Sequence, residues 1–335
     1  MGDLYPLLMQ PAFDPRPWGT KDLSPIYPNY RFTENIGESW LTGDDCRVAN
    51  GPLSGRSLAN LTEQFGRQLI GEAPADASRF PLLLKFLFPN EKLSVQVHPD
   101  DETARAVGEP WGKTECWYVV DAQPGSQIAL GLKRGVTLAQ LENAIEQQTA
   151  EDVLNWINVY PGEMIYVAGG TVHTLGSGSI IVETQQQSAT TYRLYDYGRP
   201  RELHLERGLA AVKEKVSSGK TIRPAPQELN GNYHERLISA PYFVVEKFST
   251  NETQDLQTTL REDNRSSVQI LVAVEGCAAV EVAGSPPTTF SKGDAVVIPA
   301  SIGGFRVRPQ WSVQFLKASV PGRILPEPEV EGIAD

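Results

Sequence analysis

A mainly β protein built of two β-barrel units, with a few helices carried by the first, is predicted by three features of this sequence. Its 335 residues include 29 Gly and 25 Pro, and these turn formers punctuate mostly short β-branched or aromatic segments. Such segments recur in both halves, as a chain long enough for roughly two domains of about 150 residues would allow. One turn-and-strand pattern also occurs twice. Pro161-Gly162-Glu163 ahead of MIYVA is echoed by Lys292-Gly293-Asp294 ahead of AVVIPA, each a Gly-acid turn feeding an apolar strand. The echo fits a duplicated barrel, although so short a pattern also recurs by chance in β proteins.

Strands are expected over 81–88, 93–98, 115–121, 164–168 and 180–185, and then over 243–249, 268–275, 278–282, 295–299 and 313–317. Helices are expected over 57–70, 100–107, 137–148 and 202–216, where spaced apolar residues follow polar or acidic starts. The stretch 221–232, with two Pro, a Gly and no periodicity, reads as a linker, and the acidic, Pro-containing end after Pro321 as a surface tail. The expected units are therefore residues 1–230, residues 235–320 and a tail over 321–335.

Composition narrows the function classes. With 40% hydrophobic and 21% charged residues the chain reads as globular rather than disordered. Its 30 basic against 41 acidic residues give a net charge of −11, which disfavours a nucleic-acid surface. An anionic small molecule still fits if positive charge gathers in one pocket. Cys46, Cys116 and Cys277 are far apart with no Cys-x-x-Cys spacing, so neither a disulfide framework nor a thiolate zinc site is expected. No basic segment leads into an apolar run at the start, and no stretch reaches membrane-spanning length. The expectation is an unprocessed cytoplasmic protein that engages neither nucleic acid nor membrane.

Several side chains stand out. Alternation over 92–98 puts Ser94, Gln96 and His98 on one face and Leu93, Val95 and Val97 on the other, the pattern of a half-exposed edge strand or of a wall presenting three polar heads. His173, one of only four histidines, follows Gly169-Gly170, which lets the backbone turn tightly and aim an imidazole back into a barrel. Glu115 begins a segment whose alternate positions Cys116, Tyr118 and Val120 can pack in a core. Gln96, His98, Glu115 and His173 thus form a candidate N,N,O,O set for a borderline divalent ion such as zinc, unless each is separately a satisfied polar residue. Lys85 interrupts an apolar run, so it either snorkels at a strand end or faces an anion. Lys113 shares the alternation parity of Glu115. Glu183 and Arg193 would lie about 30 Å apart on one uninterrupted strand, so they meet only if the chain turns between them. His204 marks the start of a helix, and His234 has no informative context.

Six strings, IGESW at 36–40, LSVQVHPDD at 93–101, GKTECWY at 112–118, PGEMIYVAGGTVHTLGSG at 161–178, ETQQQSATTYRLYD at 183–196 and RELHLE at 201–206, resemble the type I phosphomannose isomerase family in its short bacterial form. The resemblance implies two cupin-like jelly-roll barrels, the second degenerate. It also implies one zinc ion per chain on Gln96, His98, Glu115 and His173, an essential Arg193 and a catalytic Lys113. Substrate contacts would fall on Ser94, Lys85, Glu38, Glu183 and Arg199. The implied reaction interconverts mannose 6-phosphate and fructose 6-phosphate through an enediol, in a monomer or weak homo-oligomer. Two departures are visible: Ser188-Ala189 stands where the family reads Ser-Asp, and Trp18-Gly19-Thr20 where it reads Trp-Gly-Gly. A silent sugar-phosphate-binding regulator and a cupin metal oxygenase are the alternatives, and a Gln ligand disfavours the second.

Overall fold

The computed structural model describes residues 4–229, 231–260 and 264–331. In chain order the strands are β1 (Leu7–Gln10), β2 (Ala12–Thr20), β3 (Ile36–Trp40), β4 (Arg47–Val48), β5 (Leu82–Leu87), β6 (Val95–Val97) and β7 (Glu115–Ala122). They continue as β8 (Gln127–Leu132), β9 (Leu154–Asn158), β10 (Met164–Val167), β11 (His173–Leu175), β12 (Ser179–Gln186), β13 (Tyr192–Tyr195) and β14 (Gly219–Lys220). The last third adds β15 (Gln227–Leu229), β16 (Asn232–Ser239), β17 (Val244–Thr250), β18 (Gln254–Gln257), β19 (Gln269–Glu281), β20 (Thr288–Ser291), β21 (Ala295–Ile298) and β22 (Gly304–Ser319).

Two sheets make the first barrel, a seven-stranded one ordered β14-β10-β7-β12-β5-β3-β2 and a five-stranded one ordered β13-β6-β11-β8-β9. Trp117, Leu130, Ile165, Leu175 and Ile181 from both sheets fill one buried cluster between them. Because neighbouring side chains on a strand point to opposite faces, Val95, Val97 and Ala129 leave the back of the five-stranded sheet. There they pack with Leu141 and Ile145 of α4 (Leu138–Glu146) and with Ala211 of α5 (Leu205–Ala211). Cys116, Tyr118, Met164, Tyr166 and Val182 leave the back of the seven-stranded sheet and share a core with Val245, Ile270, Val272, Val297 and Leu316 of the second unit. That unit is a ten-stranded sheet curled over its own apolar interior of Phe248, Leu271, Phe290 and Phe315. β1 joins this second sheet, paired with β21 on one side and β4 on the other.

The helices differ from expectation in extent. The segment expected as one helix is two, α1 (Leu58–Phe65) and α2 (Arg67–Ile70), divided at Gly66 with φ 46°. α3 (Asp101–Ala106) is capped by Asp100, whose side chain accepts from Thr103 N, and α4 opens with a Thr137/Gln140 capping box. α5 stops at Ala211 because the chain is then drawn to the first barrel, where Lys213 N donates to Gly170 O at 2.9 Å. Segments 268–275 and 278–282 are one strand, β19, whose register shifts near Gly276, φ 75°. The expected linker is partly sheet, since β15 pairs with β16 and Thr221 bridges to Val330. A local alternation test misses so short an edge hairpin.

The sequence echo is a structural one. Gly162 N donates to Val119 O, Val119 N to Glu163 O, and Tyr160 N to Glu163 Oε2; Gly293 N donates to Ala273 O, Ala273 N to Asp294 O, and Ser291 N to Asp294 Oδ2. With Val119 and Ala273 as counterparts, the ladders place Gln269 where Glu115 stands. They likewise set the Glu246–Lys317 pair where Lys85–Glu183 stands, with the charges exchanged.

Candidate active site

One row of cross-strand neighbours builds the first wall. His173 pairs with Gln96, and Gln96 with Arg193, so three side chains from β11, β6 and β13 share the inner face. The turn before His173 fixes its direction: Gly170, φ 91°, donates to His98 O at 2.7 Å, and Gly169 N donates to Thr114 Oγ1 at 3.2 Å. A Cβ on Gly169 would lie 2.7 Å from Asp100 Cα, so only glycine lets these segments meet.

His98, Glu115 and His173 are buried, with their ligand atoms within 4.8 Å of one another. Each imidazole places Nδ1 against a backbone carbonyl, His98 on Thr190 O at 3.0 Å and His173 on Thr171 O at 2.9 Å. These contacts put the ring proton on Nδ1 and leave both Nε2 lone pairs facing the carboxylate, 3.5 Å from Glu115 Oε2 and Oε1 respectively. Burial, with the Lys113 charge second, holds His98 well below the usual histidine range, and burial brings His173 to about 4. Both rings are therefore in the neutral form that ligates metal. Gln96 Nε2 lies 3.2 Å from His173 Nε2 and its Oε1 accepts from Ser94 Oγ at 3.3 Å; rotating the amide end for end would present Oε1 to the cluster.

Glu115 Oε2 is buried with no hydrogen-bond partner, and a positive charge already stands against the cluster. Lys113 Nζ is 2.9 Å from His98 Nε2 and 3.2 Å from Glu115 Oε2. A buried carboxylate and two neutral imidazoles, with an amide oxygen in reach, form a donor set suited to a borderline divalent cation.

The facing seven-stranded sheet carries a ladder of alternating charge. Lys85 Nζ stands 3.1 Å from Glu183 Oε1 and 3.4 Å from Glu38 Oε2, and Lys113 Nζ is 4.0 Å from Glu183 Oε1. Trp117 Nε1 donates to Glu183 Oε2 at 3.2 Å and Trp40 Nε1 to Glu38 Oε2 at 2.8 Å. Arg16 Nε closes the outer end on Glu38 Oε1 at 3.1 Å. Burial raises the Glu38 carboxyl, but Lys85 and Arg16 outweigh it and hold it at about 2. Glu183 goes the other way: burial, reinforced by the Glu115 charge, raises it above the usual carboxylate range. Its Oε1 has no aligned hydrogen-bond donor.

Arg193 is half-buried, its guanidinium donating to Glu202 O at 2.7 Å while its Nε has no partner. Its backbone N–H donates to His204 Nδ1 at 3.2 Å, at the foot of α5. Arg199 pairs with Asp196 at 3.1 Å and donates to Lys92 O at 2.7 Å; among the described contacts none joins it to the metal-ligand cluster. Arg16, Trp40 and Trp117 join the site from outside the set expected from sequence. Asp14, Arg16 and Trp18 share the parity of one strand face, the signal that singled out 94, 96 and 98.

The phosphomannose isomerase type I catalytic-domain family model matches residues 9–132. Mannose-6-phosphate isomerase ManA of Bacillus subtilis is 34% identical over 325 residues, covering 90% of this chain and 95% of that protein. Mannose-6-phosphate isomerase of Streptococcus mutans is 33% identical over 307 residues, covering 89% and 93%. The crystal structure of the Bacillus subtilis mannose 6-phosphate isomerase superposes with a TM-score of 0.83 at 29% identity, covering 93% of this chain and 99% of that one.

Proposed function

This chain belongs to the type I phosphomannose isomerase family and has its cupin-type fold, and we propose that one zinc ion per chain, held by Gln96, His98, Glu115 and His173, serves its interconversion of mannose 6-phosphate and fructose 6-phosphate. The observation that carries the metal assignment is the convergence of two Nδ1-anchored imidazoles, one on each oxygen of the buried Glu115 carboxylate. When bound, the ion polarises the sugar oxygens and lowers the acidity barrier at the neighbouring carbon.

The remaining chemistry belongs to the chain. Isomerisation moves one proton between C2 and C1 and one between O2 and O1 through an enediol, with no net gain or loss of atoms. Lys113 and Arg193 donate to the oxygen on which negative charge develops. Glu183 is our choice for the carboxylate that takes the proton from one carbon and returns it to the other. Burial raises its proton affinity above that of an ordinary carboxylate, Trp117 fixes one oxygen, and the other lies against the Lys85 ammonium at 3.1 Å. Lys85 holds Glu183 and Glu38 apart as a shared counter-ion, while Ser94, Glu38 and Arg199 contact the sugar phosphate. Among the described residues no helix is long and apolar enough to cross a membrane. We take the enzyme to be cytoplasmic and a monomer or weak homo-oligomer.

Replacing either imidazole tests the site. His98→Ala and His173→Ala should each fold, lose the stoichiometric ion and lose activity by at least a hundredfold; full metal content in both variants would move the site elsewhere.

A further inference from the structure

We propose that Asp101 and Tyr242 are positioning residues, through which the second barrel holds in catalytic position the segment that carries Lys113 into β7 and Glu115. The inference rests on the isomerase reading above. Asp101 opens α3 directly after His98-Pro99-Asp100, and its carboxylate joins three separate parts of the molecule. Oδ1 accepts from Gly112 N at 2.8 Å and from Gln186 Nε2 at 3.1 Å, and Oδ2 accepts from the Tyr242 hydroxyl at 2.8 Å. Gln186 Oε1 in turn accepts from Thr114 N at 2.8 Å, while Lys113 N donates to Pro99 O at 2.9 Å.

Lys113 is thus pinned at its own backbone and on both sides. No slack exists at Gly112, where a Cβ would lie 2.5 Å from Asp100 C and Asp101 N. Neither Asp101 nor Tyr242 faces the cluster. Alternation along β12 sends Gln186 to the opposite face from Glu183 and Gln185, and Asp101, Gln186 and Tyr242 line a cavity of about 780 Å³ between the two units. Tyr242 acts from the second unit's side of that cavity, so its hydroxyl is one of several polar ties between the units, beside Tyr27 to Gly293 O and Thr221 to Leu237 O, and the one that reaches Asp101. A shift of the 112–114 backbone would be read at the Lys113 ammonium, whose contacts of 2.9 and 3.2 Å leave little latitude.

The test compares Tyr242→Phe, Asp101→Ala and Asp101→Asn by steady-state kinetics, metal content and hydrogen exchange of residues 112–115 in the full-length zinc-loaded protein. Tyr242→Phe keeps the ring and should lower kcat about tenfold with KM and metal content unchanged, while exchange at 112–115 accelerates. Asp101→Ala should do at least as much, and Asp101→Asn, which still offers an oxygen to Gly112 and a polar end to Tyr242, should recover kcat to within about threefold of the parent. In a Lys113→Ala background Tyr242→Phe should cost nothing further, since the tie acts through Lys113. Unchanged exchange at 112–115 in Tyr242→Phe, or a second tenfold fall in the Lys113→Ala background, overturns the proposal. A parent protein without isomerase activity would instead overturn the function, and the exchange measurement would still judge the tie.

Discussion

Lys85 sits at the centre of an all-buried strand, and its ammonium is tolerated there because Glu183 and Glu38 flank it. Removing one partner of such a group leaves two carboxylates buried together, so Lys85→Met should lower stability by about 3–5 kcal/mol in urea unfolding. A variant of parental stability, with only KM for the phosphorylated sugar raised, would make Lys85 a phosphate ligand instead. The second barrel offers a titratable counterpart in Glu246, where burial raises the carboxyl but His234, at 2.8 Å, and Lys317, at 2.6 Å, outweigh it and bring it to about 2. Its folded value lies below the unfolded 4.5, so this stability is present above pH 4.5 and is lost as pH falls from there through about 2. The loss is on the order of 3 kcal/mol. Urea titrations at pH 6 and pH 2.5 should show Glu246→Gln losing less stability than the parent across that interval; equal losses would place the acid sensitivity in other carboxylates. The sequence made it legible that Lys85 must either snorkel or face an anion, and that Lys113 and Glu115 share a face. It could not name Glu183 as the partner, because that pairing is a register between distant strands.

At the scale of elements, the Gly-acid turns were the most informative local signal, since they recur with the same hydrogen bonds in both barrels. They differ in surroundings. Gly162 and Gly293 have φ 90° and 92°, yet a Cβ on Gly162 meets nothing within 4 Å, whereas one on Gly293 would lie 2.8 Å from the Tyr27 ring and 3.0 Å from Ile26 Cγ2. Gly162→Ala should therefore cost about 1–2 kcal/mol from backbone strain alone, and Gly293→Ala clearly more, measured by denaturant unfolding. Equal costs would mean that the second turn relaxes freely. Strands with alternating or wholly apolar runs, such as β5, β7, β12 and β21, could be read directly. β8, β9 and the β15–β16 hairpin could not, because they lie in polar or Gly-broken sequence and owe their strand form to neighbours already in the sheet. Gly66 divided a helix whose apolar spacing runs straight through it.

At the scale of the molecule, three sheets stack so that each barrel has its own interior while one core joins the back of the first to the second. Residues 1–230 and 235–320 are, in our reading, units of duplication rather than of independent folding, since β1 completes the second sheet and residues 329–331 return to hydrogen-bond with 220–222 of the first. The second barrel holds Gln269 and an ion pair of reversed order where the first holds Glu115 and Lys85–Glu183, which suits a supporting role. On the reading proposed above, catalysis depends on a single metal centre. The most direct test strips purified protein with a chelator, follows conversion of mannose 6-phosphate to fructose 6-phosphate, and titrates zinc back. Turnover should vanish with the metal and return in step with one equivalent of zinc per chain; full turnover by folded protein with no bound metal would contradict the account.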